Sequence, residues 1–320
     1  MATTPESSAQ VTGASGCSGS GPSHFKHRIL PGFTVMAINT LMLVLGGVWW
    51  VALLYGYFLL MQGEMMGMLK TKQMVPSRTA VILVGSGFYL LAWLGQPHYF
   101  SELVALGVMV TCMAQLFRVR RASIHDIGAT VLTYFYLGFL PAHLVMLRQI
   151  GCQGDLLGLC GGTPFFQQPG CLFTFWVILA NVATDVGAYY AGKRFGKTLL
   201  LSAISPSKTW EGAIGGLLAG VGSATGFSIL VGLPLVHGVA LGALVSVVSQ
   251  MGDLFESLLK RDAGLKDSGN VLAGHGGFMD RFDGYIFSGA VAYYYIVWFM
   301  LHQGLALDVL NWWRTSVHVG

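Results

Sequence analysis

At 320 residues the chain has room for one large domain or two small ones, yet only 10% of it is charged while 54% is hydrophobic. Water-soluble domains carry about 25% charged residues, so this composition excludes a soluble globule, a disordered chain and a coiled coil, and points to a polytopic membrane protein. A net charge of +4, with the basic residues in short clusters between apolar runs, excludes a nucleic-acid binder as well.

Residues 1–25 are rich in Ser, Thr and Gly, carry Glu6 as their one charge and lack the apolar core of a secretory signal, so 1–28 reads as a disordered tail. The Ser-rich, acid-poor composition also suits a plastid transit peptide, against which stands the absence of any Arg before Arg28. Apolar stretches follow at 33–48, 49–63, 79–96, 102–117, 126–147, 171–191, 212–232, 235–252 and 284–303. Most approach the roughly 17–25 residues that cross a bilayer as a helix, the first two being short. The run from Pro31 to Leu69 is too long for one span and just long enough for two, with Gly46–Gly47 as the turn. The fold class expected is therefore all-α, with about nine transmembrane helices and eight as the alternative.

Basic residues fall in every second connection: Lys26 and Arg28; Lys70, Lys72 and Arg78; Arg118, Arg120 and Arg121; Lys193, Arg194, Lys197 and Lys208; and Lys260 to Arg281. The positive-inside rule assigns these to the cytoplasmic or stromal face and leaves 97–101, 148–170 and 233–234 outside, with Arg148 and Arg314 as exceptions. The chain then divides into a tail (1–28), N-terminal transmembrane helices (29–168), a catalytic transmembrane domain (169–304) with polar loops 193–211 and 253–283, and a C-terminal tail (305–320). The five cysteines form no CxxC pair, which argues against zinc, although Cys152, Cys160 and Cys171 around the 148–170 loop could form a disulfide on an oxidising face.

Eight of the fourteen acidic residues lie between Asp185 and Asp283, and 253–283 holds ten charged residues in 31 positions. Ionisable groups at helix ends in a membrane are costly unless paired, metal-bound or wet, so such a cluster marks a site rather than an ordinary solvated loop. Asp253 ends one span, and Asp280 with Asp283 opens the next; consecutive antiparallel helices bring these ends together, and a spacing of three puts Asp280 and Asp283 on one helix face. Carboxylates of this kind, with substrate phosphates, hold Mg²⁺. Lys260, Arg261, Lys266 and Arg281 suit phosphate oxygens, and Gly274, Gly276 and Gly277 around His275 allow a backbone to approach a phosphate. Upstream, Asp185 needs a partner within an apolar span, and Ser205-Pro206 before Ser207-Lys208-Thr209 reads as a turn into a helix whose amides could meet an anion. Lys193, Arg194 and Lys197 read instead as topology-setting charges.

The segment Ser257-x-x-Lys260-Arg261-x4-Lys266-Asp267-Ser268-Gly269, followed by His275-Gly276-Gly277-x-x-Asp280-Arg281-x-Asp283, resembles the signature of the phosphatidate cytidylyltransferase (CDP-diacylglycerol synthase) family. Asp185-x-Gly187-Ala188-Tyr189 and Ser205-Pro206-x-Lys208-Thr209-x-Glu211-Gly212 are similar to further motifs of that family, and the likeness covers about 30–303. Ser207 departs from it, standing where many members carry a second basic residue, and the 148–170 loop looks like an insertion.

The resemblance implies that CTP and phosphatidate give CDP-diacylglycerol and pyrophosphate, in a homodimer, with the site on the cytoplasmic or stromal side of a bacterial inner membrane or a plastid-type membrane. Mg²⁺, alone or with a second, monovalent cation, is the implied cofactor. Asp253 and Asp280 are its first-choice ligands; Asp267, Asp283 and Asp185 are second-tier ligands or partners of the basic residues. Lys208, Lys260, Arg261, Lys266 and Arg281, with Ser205, Thr209 and Ser257, are candidates for contacts to the two polyanions, and His275 for a donor to a phosphate oxygen or a hydrogen bond within its turn. Two rivals predict other features: a transporter would show midplane charges and an internal repeat, and a CTP-using polyprenol kinase would release CDP.

Overall fold

A computed structural model of the chain describes residues 34, 36–117, 123–152, 164, 167–269 and 277–301. Expectations for the tail 1–28, Lys26, Arg28, Arg118, Arg120, Arg121, Cys160, Gly274, His275, Gly276 and 305–320 lie outside the described residues.

A backbone in lipid must satisfy its own hydrogen bonds, and apolar runs of this length do so as helices. The chain forms α1 (Met36–Leu45), α2 (Gly47–Thr71), α3 (Arg78–Trp93), α4 (Phe100–Leu116), α5 (Ile124–Arg148), α6 (Pro169–Phe195), α7 (Trp210–Leu230), α8 (Leu235–Asp262) and α9 (Asp283–Leu301). Six of these, α4 with its leading 3₁₀ turn and α5 to α9, are long and apolar enough to cross a membrane.

The turn expected at Gly46–Gly47 is present: both glycines have positive φ, 65° and 45°. Here a side chain would also meet the guanidinium of Arg148. Arg148, expected as an isolated charge on the outer face, is instead buried and donates to Leu43 O (2.7 Å), Val44 O (3.3 Å) and Gln168 Oε1 (2.7 Å). It thereby caps the terminal carbonyls of α1 with a positive charge, where helix end groups and dipole both favour one.

Three elements differ from expectation, each for a local reason. The second apolar stretch was expected to end at 63, but α2 continues through Glu64 to Thr71 because Glu64 is buried and hydrogen-bonded. The span expected to end at 252 continues as α8 to Asp262, with Glu256 and Lys260 paired one turn apart at 3.2 Å. Within the polar loop 193–211 lies a small antiparallel hairpin, β1 (Leu199–Leu201) and β2 (Ser205–Thr209), with Leu201 opposite Ser205 and Leu199 opposite Thr209, so the fold is mostly rather than wholly helical. Pro206 is tolerated because β2 has β1 as its single neighbour.

α5 contains a π-helical turn, Phe135–Phe139, that ends two residues before Pro141. Proline has no N–H to offer the carbonyl four residues back; that carbonyl, Leu137 O, accepts instead from the Tyr89 hydroxyl at 3.1 Å.

Two apolar cores organise the bundle. One joins α2, α3 and α5 to Phe278, Met279, Phe282 and Ile286, crossing the expected domain boundary at 168, and the other joins α6, α7, α8 and α9. Helices α6, α7 and α8 approach through small residues: a side chain at Gly215 would strike Ala191, one at Gly220 would strike Thr184 and Ser246, and one at Gly242 would sit 2.8 Å from the Ala224 methyl. Close backbone approach through small residues is how membrane helices gain dispersion contacts.

One end of this bundle collects the basic segments. Lys72 pairs with Asp262 at 3.0 Å, Thr71 donates to Ala263 O, Arg261 donates to Ile204 O, and Val75 N donates to Asp126 Oδ1. Arg148 and the Gln149 contact to Trp93 O belong to the opposite end. Of the three loop cysteines, Cys152 is disulfide-bonded, as the sequence allows, whereas Cys171 is a buried free thiol.

Candidate active site

The last turns of α8 carry Asp253, Glu256 and Lys260, spaced three and four apart and so aligned along one stripe. Asp253 pairs with Lys208 of β2 at 2.5 Å, with both side chains partly open. Lys260 Nζ lies between Glu256 Oε1 (3.2 Å) and Asp280 Oδ1 (2.5 Å), where Glu256 is fully buried.

Asp280 sits in a 3₁₀ turn, Met279–Arg281, that precedes α9. Its Oδ1 accepts from Lys260, and its Oδ2 accepts from Gly277 N (2.9 Å), Ser268 Oγ (3.0 Å) and Ser268 N (3.2 Å). Burial alone would push this carboxyl up; hydrogen bonds from Glu256, Lys260 and the Gly277 amide outweigh burial and hold it well below the usual carboxylate range.

Asp283 begins α9 and accepts from Gly284 N at 2.7 Å. Its carboxyl lies within hydrogen-bonding reach of Asp253, and both feel the charge of Asp185 on α6. Gly252 makes this approach possible, since a β-carbon there would lie 2.7 Å from Asp283 O. The expectation that Asp280 and Asp283 share one helix face does not hold: the three-residue rule needs one continuous helix, and the chain passes from the 3₁₀ turn into α9 at Phe282. Asp280 therefore faces Lys260, while Asp283 joins Asp253.

Two adjoining groups result. One is carboxyl-rich and part-open, with Asp185, Asp253, Asp283 and Lys208; the other is more enclosed, with Lys260 paired to Glu256 and Asp280, and Ser268 donating to Asp280. Among the described residues no set of three or more His, Cys, Asp or Glu side chains is arranged to hold a metal ion by itself.

The remaining expected residues fall into place around these groups. Ser205 is buried at the start of β2, and Thr209 caps α7, its Oγ1 accepting from Gly212 N at 3.1 Å. Ser257 is half-buried on α8. Arg261, Lys266, Asp267 and Arg281 are exposed, Arg261 donating to Ile204 O and Leu265 O. Two buried carboxylates were not among the expected site residues. Glu256 was legible as the residue one turn from Lys260, and Glu64 as an acid inside an apolar run.

Residues 26–299 match the family model described as the cytidylyltransferase family. The chain belongs to that family. The phosphatidate cytidylyltransferase of Synechocystis sp. is 35% identical over 305 residues, covering 89% of this chain and 98% of the relative. That of Bacillus subtilis is 29% identical over 287 residues, 86% of this chain and 98% of the relative. The chloroplastic phosphatidate cytidylyltransferase 4 of Arabidopsis thaliana is 39% identical over 205 residues, 61% of this chain and 52% of that longer relative. The family match contains every charged residue of the two groups in this cytidylyltransferase.

Proposed function

We infer that this cytidylyltransferase joins CTP to phosphatidate, giving CDP-diacylglycerol and pyrophosphate. The observation that carries the reading is the pair of groups at the ends of α8 and α9, one presenting carboxylates with Lys208 and the other holding Lys260 between two acids. A phosphate oxygen of phosphatidate attacks the α-phosphorus of CTP, a new P–O bond forms in line with the bond to the β-phosphate, and that bond breaks to release pyrophosphate. No protein base is needed, because a phosphate monoester is largely ionised at neutral pH. The protein's task is to hold two polyanions together and offset their repulsion.

Hard carboxylate oxygens fit Mg²⁺, which takes one or two carboxylates and completes its shell with waters and substrate phosphates. Asp253 and Asp283 would hold it; Asp280, expected beside Asp253, has both oxygens engaged by protein donors. A bound Mg²⁺ would neutralise charge developing on the phosphates. Lys208, paired with Asp253, would take up a phosphate oxygen once that carboxylate turned to a cation, and the pairs of Lys260 with Asp280 and Glu256 would orient its ammonium.

We further propose that α2 to α9 each cross the bilayer once, whereas the ten residues of α1, about 15 Å long, fall short of the ~30 Å hydrocarbon core. The positive-inside rule supports a cytoplasmic or stromal face for the end where the basic segments meet. Soluble CTP and the headgroup of a membrane-anchored lipid can both reach such an interface.

The test is release of pyrophosphate and formation of cytidine-linked lipid by purified protein given CTP, phosphatidate and Mg²⁺, beside Asp253→Asn and Asp283→Asn. Both variants should lose at least ~100-fold in rate, the scale of a lost electrostatic contact in a transfer step. CDP as the nucleotide product would favour the lipid-kinase reading, and no CTP consumption by the folded wild type would sink the enzyme assignment.

A further inference from the structure

Two backbone donors converge on Glu64, although it lies far upstream of the signature in sequence. Its Oε1 accepts from Phe278 N (2.7 Å) and its Oε2 from Met279 N (2.8 Å), and the Ser268 hydroxyl, whose one proton is shared with Asp280, lies 3.2 Å from Oε2. The side chain is buried on α2, and the two glycines bracketing the site press against it: a β-carbon at Gly269 would lie 2.9 Å from Glu64 Cγ, and one at Gly277 2.9 Å from Oε2.

Phe278 and Met279 begin the 3₁₀ turn that carries Asp280 and leads into Asp283. The amides at the start of a helical turn have no partner within it, and a carboxylate there satisfies them with favourable charge. We propose that Glu64 is a positioning residue for the transfer reaction: from α2 it clamps the 277–283 turn and thereby sets where Asp280 and Asp283 stand. The inference rests on the reading of that turn as part of the transfer site.

The two backbone donors use different oxygens, which makes the proposal sharp. A glutamine has the same size but one acceptor oxygen, so its amide NH₂ must face one N–H donor. Glu64→Gln should therefore disturb the turn without opening a cavity, and Glu64→Ala should disturb it further.

The experiment compares wild type, Glu64→Gln, Glu64→Ala and Phe58→Leu, the last altering the buried face of α2 away from the turn. Folded yield and melting are measured with kcat, the KM for CTP and phosphatidate, and amide hydrogen exchange of the peptide spanning 277–283. The expected result for Glu64→Gln is faster exchange in that peptide and a kcat lower by about 10–100-fold, the scale of a misplaced reacting geometry, with KM changed much less. Phe58→Leu should leave the exchange of that peptide as in wild type. Unchanged exchange, an unchanged kcat, or a loss in Glu64→Gln that merely follows its folded fraction overturns the proposal. Asp283→Asn in the same assay separates the two readings: full activity there removes the turn from the chemistry, whatever Glu64→Gln does.

Discussion

Asp280 and Asp283 stand three residues apart and meet different partners. Asp280 accepts from one ammonium, two amides and a hydroxyl, whereas Asp283 faces a second carboxyl. The folded-state pKa of Asp280 is depressed below the ~3.9 of an unperturbed Asp. Its contribution to stability is therefore complete above that value and lost as the pH falls through the acid range. The melting-temperature gap between wild type and Asp280→Asn should be constant near neutrality and narrow from about pH 5 downward; a gap independent of pH would contradict the assignment. At this scale the composition of the charged cluster was legible, because acids and bases at such density in an apolar chain must find one another. Which acid met which base was not legible, because that depends on where a helix stops and a 3₁₀ turn begins.

Between elements, the contact of α6 with α7 depends on residues that have almost no side chain. A β-carbon at Gly216 would lie 2.9 Å from Thr184 O and 3.0 Å from the Ala188 methyl. Gly216→Val should cost about 1–3 kcal/mol through overpacking, read as a lower midpoint in denaturant-induced unfolding in detergent. Because α7 follows the hairpin that carries Lys208, transfer activity should fall as well. An unchanged midpoint would mean that the two helices separate without penalty. The helices themselves were visible as apolar runs, and the Gly46–Gly47 turn as two small residues inside one of them. The lengths of α2 and α8 were not, since each continues through charged residues that tertiary partners satisfy. The hairpin at 199–209 also escaped, being too short for a period-2 pattern to register against the adjoining helices.

For the molecule as a whole, alternation of the basic segments predicts which end of the bundle faces which compartment. In a variant with its cysteines replaced, Lys197→Cys should react with a membrane-impermeant thiol reagent from the cytoplasmic or stromal side. Leu235→Cys should react from the opposite side, since these positions lie at opposite ends of the hairpin–α7 unit. Labelling of both from one side would refute the alternating arrangement.

The apolar runs that fit a membrane protein, the mostly helical class and the crowding of acids and bases near helix ends follow from the sequence alone. Hydrophobic runs and charge density are local properties, and the membrane leaves the backbone few alternatives to the helix. The tertiary structure decided that Arg148 caps α1, that Lys260 stands between Glu256 and Asp280, and that Glu64 holds a turn more than two hundred residues away. Each of those outcomes depends on a buried polar group finding a partner remote in sequence. Burial makes such partners obligatory, but only the packed bundle determines which ones lie within reach.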